Sequence, residues 1–321
     1  MNRLHLGLSI YNGGAPWAPW RRPECFGFWQ PDYLPSLVFG GMGAVTTTGE
    51  SPPTVALANV PNGPYQLRTE ITVAGDLGDA EYRTSLNGGG TWPYEGHTAA
   101  SVDLTGSGIT EQFAAGTYAL DNVYTSRSAV AQLLDRSRYS NNIWQPSLLN
   151  MPTAITAFAD FGGLSSLDFD GIQTLSVALA APIPQPVTWY IVYKDSALYN
   201  YARLVGVYGS TATGQHLSNG PGVGVPYLYD NVGKLLTYSS VSDPDPHTMV
   251  GVFDSTDSMI SIDSATGVSG DAGTGDVLNI CMGGNGPMFK GQIGCVCGIA
   301  AHDSLAMRTR MLQWFSRYGT M

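Results

Sequence analysis

Charge is scarce in this 321-residue chain: Asp, Glu, Lys and Arg together make up 12%, about half the usual share. What charge there is leans acidic, 25 carboxylates against 15 bases, for a net of −10. An acidic surface repels phosphate backbones and anionic bilayers, so nucleic-acid binding and membrane docking are not expected. A surface so poor in charge also suits a protein covered by other subunits rather than by water. No run approaches the ~20 apolar residues of a membrane-spanning helix. The opening MNRLHLGLSIYNGG carries too short an apolar run for a secretory signal. The expectation is assembly in the host cytoplasm without membrane insertion.

Cysteine is also sparse. Cys25, Cys281, Cys295 and Cys297 are too few for a disulfide framework in a chain this long. Cys295 and Cys297 stand two apart in an expected strand and read as small apolar core residues. No CxxC spacing or neighbouring His supplies a metal site. The five histidines, His5, His97, His216, His247 and His302, are scattered. No GxSxG elbow occurs. Gly283-Gly284-Asn285-Gly286 lies between two expected strands rather than before a helix, so it reads as a turn and not a phosphate cradle.

What is abundant is Gly, 40 residues, and Pro, 20, beside 17 Tyr. With many Thr and Ser, this composition favours short strands and tight turns over helices. Residues 1–53 read as an extended arm and linker. Ala15-Pro16-Trp17-Ala18-Pro19-Trp20-Arg21-Arg22-Pro23 alternates proline with tryptophan, and proline holds its neighbours extended. Trp17, Trp20, Phe28 and Trp29 on such an arm need a surface. That surface is either the chain's own domain or a neighbouring subunit, for which these four are the candidate docking residues.

Residues 54–125 read as a small β-domain. Tyr65, Leu67, Thr69, Ile71 and Val73 alternate with polar neighbours as in a half-buried strand. Asn87-Gly88 suits a tight hairpin. The segment from Ile71 through Gly75-Asp76-Leu77-Gly78-Asp79-Ala80 to Arg83, then Ser85-Leu86-Asn87-Gly88-Gly89-Gly90-Thr91-Trp92, then Phe113-Ala114-Ala115-Gly116-Thr117-Tyr118 resembles a small β-domain of phage tail and other virion proteins. That resemblance implies a structural role and supplies no catalytic residues.

Residues 126–321 continue with strong strands at Val187–Tyr193 and Arg203–Tyr208. They close on one helix from Asp303 to Tyr318, with Asp303 or Ser304 as N-cap and Gly319 as stop. Three short motifs occur in order: Asp135-Arg136-Ser137 leading to Asn141, Leu167-Asp168-Phe169-Asp170-Gly171, and Phe289-Lys290-Gly291-Gln292-Ile293. Their order resembles the laminin-G-like members of the concanavalin A-like family. The resemblance implies a jelly-roll sandwich, so the whole chain is expected to be all-β with a single C-terminal helix. Gly294-Cys295-Val296 departs from the family's acidic ending.

That family includes glycoside hydrolases, which need paired carboxylates. Here all six glutamates, Glu24, Glu50, Glu70, Glu81, Glu95 and Glu111, precede residue 126. Asp168 and Asp170 share a strand face but read as turn-ordering residues. The expectation is therefore no enzyme, no catalytic residues and no cofactor. Asp254, Asp257 and Asp263 are either solvated turn residues or ligands of a rim Ca²⁺.

Glycan binding stays open. Tyr199, Asn200 and Tyr201, with Tyr227, Tyr229 and Asn231, offer aromatic faces and polar groups of the kind that stack on sugars and bond hydroxyls. They are equally ordinary loop or subunit-contact residues. The main expectation is a structural component of a phage or phage-like virion, displayed on tail, baseplate or capsid vertex. It would be a homo-oligomer among other virion proteins. The second is a glycan-binding adhesin for host surface polysaccharide.

Overall fold

A computed structural model describes residues 17–319 except 197–202, 207–215, 220–225, 230–234, 239–244 and 284–288. The chain is all-β, with one α-helix, Leu305–Phe315, among the described residues. Ser304 caps that helix by accepting from the Met307 N–H, and Gly319 ends the following turn at φ 76°.

The central strand of the sandwich is Val187–Asp195. It lies between His247–Phe253 and Lys290–Ile299, antiparallel to both. Its residues 187–193 are all buried, because both of its faces are covered. Trp189, Ile191 and Tyr193 point into a core shared with the second sheet, which contributes Val130, Leu175, Val277 and Ile280. Tyr190 and Val192 point the other way, into a core beneath the helix residues Met311, Leu312 and Phe315. A strand covered on both sides loses the polar–apolar alternation of a half-exposed one. That is why the sequence shows it as a continuous apolar run.

The Pro/Trp-rich segment is not a free arm. Cys25–Trp29 pairs antiparallel with the far end of Lys290–Ile299. Leu37–Met42 pairs with Val123–Leu133. Residues 25–42 are thus strands of the sandwich, although they lie before the small domain in sequence. The boundary at 125/126 also falls inside a continuous strand. Val123–Leu133 pairs through residues 123–127 with Gln66–Val73 and Thr46–Thr48, and through residues 128–133 with Leu37–Met42. One 11-residue strand therefore serves both β-units.

Of the two surfaces expected for the arm aromatics, the packing supplies the chain's own domain. Phe28 and Trp29 are fully buried in the chain's own cores, and Trp20 and Trp17 pack against the core under the helix. Trp20 lies 5.0 Å from Phe28 and 5.8 Å from Trp314, centroid to centroid. Phe28 and Trp29 have no exposed area with which to bind a neighbour, while Trp17 and Trp20 stay partly exposed.

The Asp135 motif explains how this segment is held. The buried Asp135 carboxylate accepts from the N–H groups of Phe28, Ser137 and Asn141 at 2.8–2.9 Å, and from the Ser137 hydroxyl at 2.6 Å. Asn141 donates to the Phe26 carbonyl and accepts from the Trp29 indole N–H. The Asp, Ser and Asn of the motif form a clamp on the N-terminal strand.

In the small domain, Gln66–Val73, Glu81–Ser85 and Tyr94–His97 form one layer. Val55–Ala58, Ile109–Phe113 and Val102–Leu104 form a three-stranded second layer. Val73, expected to face inward, is 46% exposed. A register shift between Ile71 and Val73 turns it out.

Candidate functional site

The shared strand brings the two β-units together at a groove of roughly 780 Å³. One wall carries Leu57, Gln66 and Arg68 from the small domain, and the other Asp168, Asp170 and Gln173 from the sandwich. Thr125, Ser126 and Arg127 of the shared strand lie between them. The sandwich wall is built by the second motif. Leu167 and Phe169 are buried in the core, so the alternation of a strand sends Asp168 and Asp170 outward.

Asp168 is locked in place. It accepts from Arg127 Nη1 at 3.0 Å and from Gln292 Nε2 at 2.6 Å. Gln292 belongs to the third motif and is paired with Asp168 in register. The glycine before it, Gly291, is required by a close approach: a Cβ there would stand 2.2 Å from the Lys194 carbonyl. Asp170 accepts from the Ile172 N–H at 3.2 Å, which is a turn-ordering contact. Arg68 is held by Glu70 at 2.6 Å, and Glu70 also binds Arg83. Burial alone would raise the Glu70 pKa, but its hydrogen bonds from Arg83 and Arg68 outweigh this and lower it. Arg127 with Asp168 and Arg68 with Glu70 are thus matched in charge along the groove, and these groups are oriented before any ligand arrives.

Next to the groove lies an open sheet face. Val38, Gln132, Trp144 and Ser176 are register partners in one row, so their side chains share a face. Trp144 is 52% exposed, while Ile143 beside it is buried. Its register partners on this face are Gln132 and Ser176, and the indole stays half uncovered. The turn Leu148–Asn150 gives Leu148 and Leu149 to the groove lining. Leu148 lies over Gly41 and Met151 over Gly40, where a Cβ would come within 3.1 and 2.5 Å. Leu149 and Ile172 add exposed apolar surface at the rim, 75% and 51% accessible.

Tyr199, Asn200, Tyr201 and Asn231 lie outside the described residues. Tyr227 and Tyr229 belong to the strand Pro226–Tyr229, which pairs with His216–Asn219; their side chains are outside the description. Of the three candidate Ca²⁺ ligands, Asp254 is bound to His302 and Asp263 to His247, both at 2.6 Å. Among the described residues no group of three or more His, Cys, Asp or Glu could hold a metal. The four cysteines are buried and none forms a disulfide. Trp144 and Arg127 escaped the sequence reading. Trp144 sits in a two-residue strand, Ile143–Trp144, too short to show a period. Arg127 pairs with a residue 41 positions away.

No family model and no curated relative matches the chain. Among solved structures, a GH54 α-L-arabinofuranosidase matches over 91% of this chain and 62% of its own, at 12% identity and a TM-score of 0.48. Domain 4 of a GH43 extracellular arabinanase from Geobacillus stearothermophilus, in complex with arabinotriose, matches over 46% and 77%, at 13% identity and 0.37. Trypanosoma rangeli sialidase matches over 57% and 30%, at 10% and 0.39. The chain thus spans less than two thirds of the arabinofuranosidase and of the sialidase.

The expectation that the protein is not an enzyme is corrected here. The solved structures it is similar to include an arabinofuranosidase, a domain of an arabinanase and a sialidase, and the exclusion is withdrawn. Its premise also fails in the structure. The argument needed a sandwich without glutamate, but Glu24 borders the sandwich strand Cys25–Trp29, and its carbonyl accepts from the Ala300 N–H at 2.9 Å.

Proposed function

We propose that this protein binds a neutral glycan on the outer face of its sandwich, with Trp144 as the stacking platform and the adjoining groove supplying polar contacts. The observation that carries the reading is Trp144 itself, a half-exposed indole on a sheet face between its register partners Gln132 and Ser176. Burying an indole face against sugar C–H groups is favourable, and its ring edge stays available for a polar contact. Arg127, Asp168 and Gln173 present groups that bond hydroxyls. Their pairwise charge balance suits an uncharged polyhydroxylated ligand better than an anionic one.

The test is calorimetric titration of the whole protein with neutral oligosaccharides, arabinotriose among them, together with assay for released sugar. Trp144→Ala is expected to weaken binding at least tenfold, ~1.4 kcal/mol, without changing thermal stability. Equal affinity in the variant would sink the assignment of Trp144. No binding across a broad neutral panel would sink the reading.

For the setting we propose a phage-type particle, with the chain as a displayed component that meets host surface polysaccharide. This rests on the ordered motifs of residues 71–92 and 113–118. Its position in images of intact particles, or its absence from them, tests that part separately.

A further inference from the structure

Glu111 is the most deeply buried carboxylate of the small domain, with no exposed surface. It stands in the middle of Ile109–Phe113, between Ile109 of one apolar cluster and Phe113 of another. From there it crosses the gap between the two layers. Oε1 is in hydrogen-bond contact with the Thr69 hydroxyl, and Oε2 with the Thr84 hydroxyl at 2.9 Å. Thr69 and Thr84 are register partners on the facing layer, and their own hydroxyl oxygens lie 2.8 Å apart.

These contacts close a ring of three. Each needs one proton, and a threonine hydroxyl carries one. Two threonines supply two. With an ionised Glu111, one contact would press two lone pairs together at hydrogen-bond distance. A protonated carboxyl supplies the third proton and satisfies the ring. The surroundings agree. Directly opposite Glu111 in register are Leu57 and Val102. From the facing layer the inward ionisable groups are phenols: Tyr82, whose pKa burial pushes up to about 12, Tyr124, the register partner of Thr69, and Tyr94 at the edge, both also raised by burial. Arg68, Glu70 and Arg83 alternate to the other face of that layer and pair with one another. No cation faces the carboxyl among the described residues, and an unpaired buried charge is strongly disfavoured.

We propose that Glu111 is held as a neutral carboxylic acid and acts as a proton-dependent clip between the two layers of the small domain. Ionisation releases its proton to solvent, breaks one bond of the ring and leaves a buried charge. The folded chain therefore keeps a proton that the unfolded chain gives up above ~4.3. The folded state binds more protons in the window that opens there, so stability falls as pH rises. Below that window the clip is at full strength, and alkaline conditions loosen it. Leu57, the strand partner of Glu111, lines the groove, so loosening reaches one groove wall. The inference itself stands on the packing of the small domain and not on glycan binding.

The test compares thermal unfolding of the whole protein and of Glu111→Gln from pH 4 to pH 8. A glutamine amide can donate one of its two N–H hydrogens and accept at its carbonyl, so it completes the ring without a titratable proton. The variant is expected to match the wild type at pH 4 and to melt higher at pH 8. Parallel pH profiles for the two proteins would overturn the proposal. If the variant does not fold, carbon-13 NMR of glutamate-labelled wild type decides. One of the six side-chain carboxyl signals should stay at its protonated position at pH 7; six signals that all titrate in the ordinary acidic range would contradict the clip.

Discussion

Replacing Asp303 with Ala is expected to cost about 3–5 kcal/mol of folding stability, the usual effect of stripping one partner from a buried ion pair. Asp303 is 2% exposed and receives both guanidinium nitrogens of Arg22, at 2.7 and 2.6 Å. The Tyr190 hydroxyl donates to the same carboxylate at 2.7 Å. Burial and this carboxylate both push the Tyr190 pKa well above its ordinary value. Through these bonds Asp303 joins three parts of the fold: the N-terminal segment, the central strand and the start of the helix. Without it, Arg22 is left half-buried with only the exposed Glu24 near, at 3.6 Å. The Asp303→Asn variant keeps the shape and loses the charge, so it should also be destabilised. Urea midpoints measure both. As a contrast, Arg127→Ala breaks a pair whose side chains are 43% and 26% exposed and should change stability by less than about 1 kcal/mol.

Replacing Trp29 with Ala should cost a similar amount, about 3–5 kcal/mol. Trp29 has no exposed surface, packs in the core between the sheets and donates its indole N–H to the Asn141 carbonyl at 2.9 Å. Its ring lies over Gly27, where a Cβ would meet it at 2.0 Å. The side chain therefore fixes the path of the N-terminal strand as well as filling volume. A segment that served only to dock on another subunit would tolerate this change without loss of folded-state stability. A shift of the urea midpoint below one tenth of the wild-type value would contradict the strand role.

The contrast between these two sites shows what was legible in the sequence. The helix, its capping serine and its glycine stop were readable because their signals are local. The strands Gln66–Val73 and Ile109–Phe113 were readable because one face of each is polar. Cys25–Trp29 was not, for two physical reasons. Every residue of it is buried, so no alternation marks it as a strand. Its sheet partner lies some 270 positions away, so no hairpin signal exists. The prolines around it, Pro16, Pro19, Pro23, Pro31 and Pro35, then suggest an extended arm. The three sandwich motifs were visible as spellings, but their work was not. Asp135 and Asn141 clamp that same strand, and Asp168 and Gln292 brace the groove. The site itself was hidden because Trp144 and Arg127 become neighbours of the groove only through pairing between distant strands.

Sugar is expected to meet the open face around Trp144. The most direct measurement is an NMR titration of the isotope-labelled protein with a neutral oligosaccharide that binds it. The predicted result is a saturable shift of the Trp144 indole N–H signal, assigned by its loss in Trp144→Ala, together with shifts at Arg127 and Gln173. Saturable shifts confined to other surfaces, with the Trp144 and Arg127 signals unmoved, would contradict it.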